Sequence, residues 1–211
     1  MVAINRWWWI SAAPIQTSGV YIGRRDEEPI AVDSSVYELF GSILPRPSLV
    51  YSSPLKRALN TAKNLHQLKE CTDDIVLVDG FSEQDFGAWE GQSFGDVQKL
   101  IEHTQSVEPS DIAKLKPDNG ESFTDVITRT DLAIDTIHYQ LAETRSNAPN
   151  DVLCVAHISV IRAALAKALG INAEQTLKIH LQPLSLTVLE HHEHFGWFVH
   201  ATGWTPWPMV R

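Results

Sequence analysis

The sequence predicts an α/β protein: a three-layer α/β/α sandwich with a mostly parallel sheet and a small inserted cap. Three observations predict it. Short apolar runs, "RWWWI", "SLVYSS" and "DVLCVA", have the length and composition of buried strands. The second and third lead directly into alanine-rich segments with helical spacing of their apolar residues. Strands alternating with helices along one chain imply parallel strands joined by crossovers, with helices covering the sheet.

Residues 5–10 read as the first strand. Arg6, a short apolar run and "SAAP" also raise the possibility of a secretory leader. The run is short and tryptophan-rich, and Pro14 follows the small residues, so a core strand is the expectation. A second strand spans 48–53, with Ser53 expected to cap the next helix and Pro54 to occupy its first position. In that helix Leu55, Ala58, Leu59, Ala62 and Leu65 fall on one face. "DIVLVDG" (74–80) reads as a third strand. Residues 81–120, rich in Gly, Asp, Glu and Pro, are expected to be irregular, with 88–120 forming the cap inserted in one domain that spans 1–211. A long helix follows "NGES", placing Phe123, Val126, Ile127, Ile134, Ile137 and Leu141 on one face. "DVLCVA" (151–156) precedes a helix that ends at Gly170, a suitable left-handed cap. "LSLTVLEHHEHFGWFVHATG" reads as two antiparallel strands about a turn at 193–196. There is no internal repeat and no low-complexity linker.

Composition narrows the function. The 211 residues are 44% hydrophobic and 20% charged, and 17 basic against 26 acidic side chains give a net charge of −9. That argues against nucleic acid as a general partner, because there is no basic stripe to neutralise phosphates. A local pocket on an acidic protein can still be positive, so a small anion is not excluded. No segment is long and apolar enough to cross a bilayer. The two cysteines, Cys71 and Cys154, lie in unlike surroundings and are not expected to pair. A reducing, cytoplasmic compartment is the expectation.

Ligands on parallel sheets bind beyond the C-terminal ends of the strands, so the strand tips are where chemistry is sought. Arg57 falls in the first turn of a helix, where a guanidinium suits phosphate oxygens; it also reads as an ordinary surface arginine. His157 stands at the tip of the 151–156 strand, a position that structural histidines also occupy. Glu83 lies in "FSEQDFGAWEG", where apolar surroundings would raise its pKa and fit it to general-acid work. Taken alone, it reads equally as a solvated loop residue.

Taken in order, "SSPLKRALNTA", "SEQDFGAWEG", "NGESF" and "VLCVAHISVIRAAL" closely resemble the histidine phosphatase superfamily, also called the phosphoglycerate mutase-like family. The resemblance spans nearly the whole chain. The opening resembles bacterial alpha-ribazole phosphatase-like members, in which an Arg-His pair stands before Ala-Pro and a Tyr-x-Gly follows. It implies a phosphoglycerate mutase-like fold, a phosphorylated small molecule or inorganic phosphate as ligand, and no cofactor or metal. It implies that Arg57 and His157 bind phosphate and that Glu83 stands at the proton-donor position. The positions of the family's arginine and nucleophilic histidine hold Ser11 and Ala12 instead.

Alanine has no lone pair, so a phosphohistidine at residue 12 cannot form. The resemblance therefore implies a degenerate, catalytically inactive or very weak phosphatase with a residual phosphoester pocket. Two alternatives stand beside it. One is an active phosphomonoesterase that uses a substitute nucleophile or carries altered residues at 11–12. The other is a non-catalytic interaction subunit that keeps the fold for its surface. Ser11 would need a base beside it, and Arg24 or Arg25 would have to reach the pocket to replace the lost charge; pairing with Asp26, Glu27 or Glu28 is the expectation. His191, His192, His194 and His200 are expected to be exposed histidines rather than zinc ligands, since alternation splits them between faces. Trp204 and Trp207 are expected to pack the tail onto the body. Ligand identity and oligomeric state are not specified.

Overall fold

The run Trp7–Trp9 falls at the centre of the molecule. The structure, a computed structural model, describes residues 4–47, 49–104, 108–143 and 150–206. The first strand, β1 (Ile4–Ser11), is followed by α1 (Ser34–Ile43), β2 (Leu49–Ser52), α2 (Lys56–Leu68) and β3 (Val76–Leu77). Then come α3 (Phe94–Thr104), α4 (Phe123–Glu143), β4 (Asn150–Ala156), α5 (Ile158–Leu169), α6 (Ala173–Leu177), β5 (Leu186–His192) and β6 (Gly196–Trp204). The sheet order is β3-β2-β4-β1-β5-β6. The first four of these run parallel, and β5 and β6 add an antiparallel edge.

Alternation along the inner strands separates two cores, because successive side chains leave a strand on opposite faces. Val152, Cys154 and Ala156 of β4 join Trp7 and Trp9 beneath α4 and α5. Leu153 and Val155 join Ile10 beneath α1 and α2. This is the three-layer sandwich that the sequence predicts. Trp7 and Trp9 stack at 6.0 Å, and Phe81 meets Trp9 edge-on at 4.9 Å. Trp8, on the other face, donates its indole N–H to Asp151 at 2.9 Å.

Several local expectations are corrected. The third strand shrinks to Val76–Leu77, an exposed edge with one neighbour, because the chain turns into a 3-10 helix at Asp79–Phe81. Helix α2 begins at Lys56 rather than Pro54, and Ser53 does not cap it. Residues 81–120 are not irregular throughout: they hold α3 and two 3-10 helices, Gly87–Trp89 and Pro109–Lys114. Among the described residues of α3, Val97 is buried while Phe94 and Leu100 are exposed, so no broad apolar stripe announced it. Trp204 meets Phe40 edge-on at 6.0 Å, tying β6 to α1. Trp207 lies outside the described residues.

The histidines near the β5–β6 turn have divergent surroundings. His191 is half-buried, 4.2 Å from the His138 ring and 4.9 Å from Trp197, and so is not the exposed residue expected. His192 contacts Glu190 at 2.6 Å, and His200 approaches the same carboxylate at 3.4 Å. Among the described residues, no group of three or more His, Cys, Asp or Glu is placed to hold a metal ion. Both cysteines are free thiols.

The His138 ring has a measurable consequence. Burial, helped by neighbouring His191, lowers its pKa from 6.5 to about 4. Between those values the unfolded chain binds a proton that the folded chain refuses, so stability is lost as pH falls from 6.5 toward 4. The full shift corresponds to about 3 kcal/mol. Urea unfolding at pH 7.5 and 4.5 should show this loss, and His138→Gln should flatten it; an unchanged slope in the variant would refute the assignment.

Candidate functional site

Parallel pairing delivers three strand tips to one place. Ser11 is in register with Ala156, and the Ala12 N–H donates to the Ala156 carbonyl at 2.8 Å, so residue 12 emerges beside His157. The Ser53 N–H donates to Val155 O at 2.9 Å, which brings the start of α2 alongside. Ala13 N–H bonds the Thr61 hydroxyl, which in turn donates to Arg57 O, tying the first tip to α2. Over these tips lies a cavity of about 1150 Å³ whose wall includes Ser11, Ala12, Arg57, Glu83 and His157. All five candidate residues therefore meet in one space.

Ser11 faces away from chemistry. Its hydroxyl donates to Gln182 O at 2.6 Å and accepts from Ser185 N–H at 2.9 Å, and the residue is 1% exposed. Ala12 contributes a methyl group. Arg57 is buried and donates to Gly23 O at 2.7 Å and Arg25 O at 2.9 Å, two of its five N–H groups. Burial pushes its pKa down, opposed first by the nearby Glu83 carboxylate.

His157 is buried, 3% exposed on the cavity wall, and its Nε2 lies 2.8 Å from the Ser53 hydroxyl. Burial, then the charges of Arg57 and Arg129, hold its pKa well below the usual imidazole range, so it is neutral near pH 7. Glu83 is not in the apolar surroundings expected. Its Oε1 accepts from the Ser159 hydroxyl and from Gln84 N–H, and the Arg57 and Arg162 charges act on it.

Arg24 and Arg25 are absent from the cavity wall. Arg25 lies 3.9 Å from Glu27, as expected, whereas Arg24 pairs with Glu121 at 3.2 Å rather than with 26–28. Sequence reasoning missed five contributing residues. Ser53 orients His157 instead of capping α2. Ser159 bonds Glu83, and Arg162 lines the cavity one turn further along α5. Arg129 and Glu121 form a two-bond pair, with Arg129 also donating to the carbonyls of Gly80 and Glu83. "HISVIR" held the signal for Ser159 and Arg162, which helical spacing sets on the cavity side of the start of α5. Gly87 is needed where this loop meets 118–120: its φ is +45°, and a Cβ would strike the Asp118 carbonyl.

Such an arrangement, a ligand cavity over converging parallel strand tips, defines the class of α/β sandwiches whose sites are built from the loops after the strands. Residues 38–204 match the family described as histidine phosphatase superfamily (branch 1), and the chain belongs to that superfamily. The matched span holds Arg57, Glu83 and His157 and begins beyond Ser11 and Ala12.

The chain is 33% identical over 145 residues to "Bifunctional protein Rv2228c" of Mycobacterium tuberculosis and to "Uncharacterized protein Mb2253c" of Mycobacterium bovis. Each match covers 67% of this chain and 36% of the relative, so the chain spans about a third of their length. Among solved structures, mycobacterial glucosyl-3-phosphoglycerate phosphatase aligns with a TM-score of 0.79 at 20% identity, covering 95% of this chain and 99% of that one. Alpha-ribazole phosphatase from Shigella flexneri aligns at 0.78 and 20%, covering 98% and 100%. These likenesses establish the fold. A further structure of the mycobacterial phosphatase is a complex with inorganic phosphate, at 21% identity and a TM-score of 0.77 over 95% and 98% of the two chains.

Proposed function

We propose that this chain is a non-catalytic or very weakly active member of the histidine phosphatase superfamily whose cavity retains a site for phosphate or a phosphomonoester, with residues 88–120 as its cap. The observation that carries this is the methyl group of Ala12 on the cavity wall, at the strand tip beside His157 and in one space with Arg57 and Glu83. In this reading Ala12 occupies the place of the nucleophile and Ser11 that of a phosphate-binding arginine. Arg57 and Arg162 supply positive charge, His157 supplies a neutral imidazole, and Glu83 marks the place of the proton donor. Ser11 offers no substitute nucleophile, since its hydroxyl is bound to the 182–185 loop and, among the described residues, hydrogen-bonds to no carboxylate or imidazole.

One observation favours the reading in which another nucleophile acts. The Ser159 hydroxyl lines the cavity and donates to the Glu83 carboxylate, a serine beside a base. That reading requires turnover abolished by Ser159→Ala.

Calorimetry with inorganic phosphate tests the binding site. Arg57→Ala should weaken binding by about tenfold or more, the worth of a charge-assisted hydrogen bond of roughly 1.5–3 kcal/mol. Absence of binding, or binding indifferent to Arg57, would instead support an interaction subunit that uses its surface alone. Turnover of p-nitrophenyl phosphate by the unmodified chain at about 1 s⁻¹ or more, an ordinary enzymatic rate, would overturn the claim of inactivity.

A further inference from the structure

Inorganic phosphate would leave most of the cavity empty. At about 1150 Å³ it exceeds the roughly 300–1,000 Å³ typical of small-molecule sites. One stretch of its wall is aromatic. Tyr21 lies at the centre of three ring contacts: Phe86 at 4.7 Å, Phe94 at 4.9 Å and Trp89 at 5.7 Å. All four rings line the cavity, and Phe94 is 52% exposed although it is a large apolar side chain. Among the described residues the Tyr21 hydroxyl has no hydrogen-bond partner.

This wall is built, and it is tied to the cationic group. Tyr21 N–H donates to Gln92 O at 3.0 Å, Gly91 N–H to Tyr21 O at 2.7 Å and Phe94 N–H to Gly19 O at 3.2 Å, so the loops at 19–23 and 86–94 are stitched together. The Gly23 carbonyl, two residues from Tyr21, accepts from the Arg57 guanidinium. Two residues of chain span at most about 7 Å, so a group bound by Arg57 is a short step from the rings. Glu102 and Glu108 also line the cavity, which disfavours a second anionic group on the same ligand.

We propose that the cavity takes a phosphomonoester with its negative charge at one end and a flat aromatic or fused-ring body at the other. Arg57 holds the phosphate, and the Tyr21, Phe86, Trp89 and Phe94 rings hold the body. The proposal rests on the phosphate-binding reading of the same site. Flat bodies suit rings in edge-on and offset arrangements, which add attraction beyond the apolar area they cover.

Calorimetry with three probes tests it: inorganic phosphate, glycerol 3-phosphate and 1-naphthyl phosphate. The naphthyl ester should bind about tenfold or more tighter than the glycerol ester. Phe94→Ala and Trp89→Ala should each lower the naphthyl affinity several-fold and leave the glycerol ester unchanged. Phe94 is exposed, so its truncation leaves the fold intact and keeps the test valid if Trp89→Ala does not fold. Equal affinity for the two esters, or a preference untouched by both substitutions, would overturn this proposal while leaving phosphate binding in place. If none of the three probes binds, both readings fall together.

Discussion

Ala12→His is expected to gain turnover of p-nitrophenyl phosphate by a factor on the order of 10³–10⁴ over the unmodified chain. Losing the nucleophile from a working catalytic constellation typically removes a factor on the order of 10⁶. In the proposed reading, restoring the imidazole alone recovers part of this, because Ser11 would still occupy the place of a guanidinium that stabilises the transferring phosphoryl group. Residue 12 lines the cavity but is 7% exposed and packs in the core beneath α1 and α2, so the new ring must extend into the cavity to be accommodated. Acid-labile phosphorylation of residue 12, trapped by rapid quench and located by mass spectrometry, is the signature to seek. An adduct on the unmodified chain, or none on the variant despite a normal melting curve, would contradict the assignment. Adding Ser11→Arg should raise turnover further but lower stability. It removes the acceptor for Ser185 N–H at a position 1% exposed, and a buried unpaired N–H costs about 1–3 kcal/mol.

Glu121→Ala is expected to destabilise the protein by about 3 kcal/mol, near the low end for removing one partner of a buried ion pair. The low end applies because the Arg129 and Glu121 side chains keep 18% and 19% of their exposure. Arg129 donates to both Glu121 oxygens, at 2.9 and 3.1 Å, and the second oxygen also accepts from Asp85 N–H at 3.0 Å. The pair fastens the 80–85 loop, and Glu83 with it. For a chain of this length the loss corresponds to a fall in Tm of about 6–12 °C, and Glu121→Gln should lose less because its amide oxygen still accepts. A calorimetric scan in which Glu121→Ala melts with the unmodified chain would refute the role.

Acid should reproduce part of this effect. Burial pushes the Glu121 carboxyl up, but the Arg129 bonds, Asp85 N–H and Arg24 together leave it below its usual value. Its stabilisation is therefore present above the unfolded pKa and lost as pH falls through the lower folded value.

The legible parts of the fold were those where local pattern and tertiary demand agree. The tryptophan run, "DVLCVA" and the α4 stripe from Phe123 to Leu141 are each buried in the manner their spacing predicts. The helix α1 went unread although Asp33 caps it, accepting from Ser35 N–H, and Tyr37 and Phe40 lie on its buried side. The α6 capping box of Asn172 and Gln175 was likewise in plain view. Ser53 misled because a serine before proline is a common helix start, and only the approach of β4 showed that its hydroxyl is claimed by His157. Glu83 misled because its sequence neighbours are aromatic, whereas its spatial neighbours, Ser159, Arg57 and Arg162, lie far away along the chain.

The order of residue types along the chain was enough to specify the layered sheet and to single out Ser11, Ala12, Arg57, Glu83 and His157 as candidates. Those depend on spacing, composition and chemical identity, which a linear string carries. The tertiary structure alone decided that the five candidates share one cavity, that Ser11 is bound to the 182–185 loop, that Arg24 is drawn off by Glu121, and that an aromatic wall adjoins Arg57. Each of these is a contact between segments distant in sequence, whose geometry exists only once parallel strands have brought their ends together.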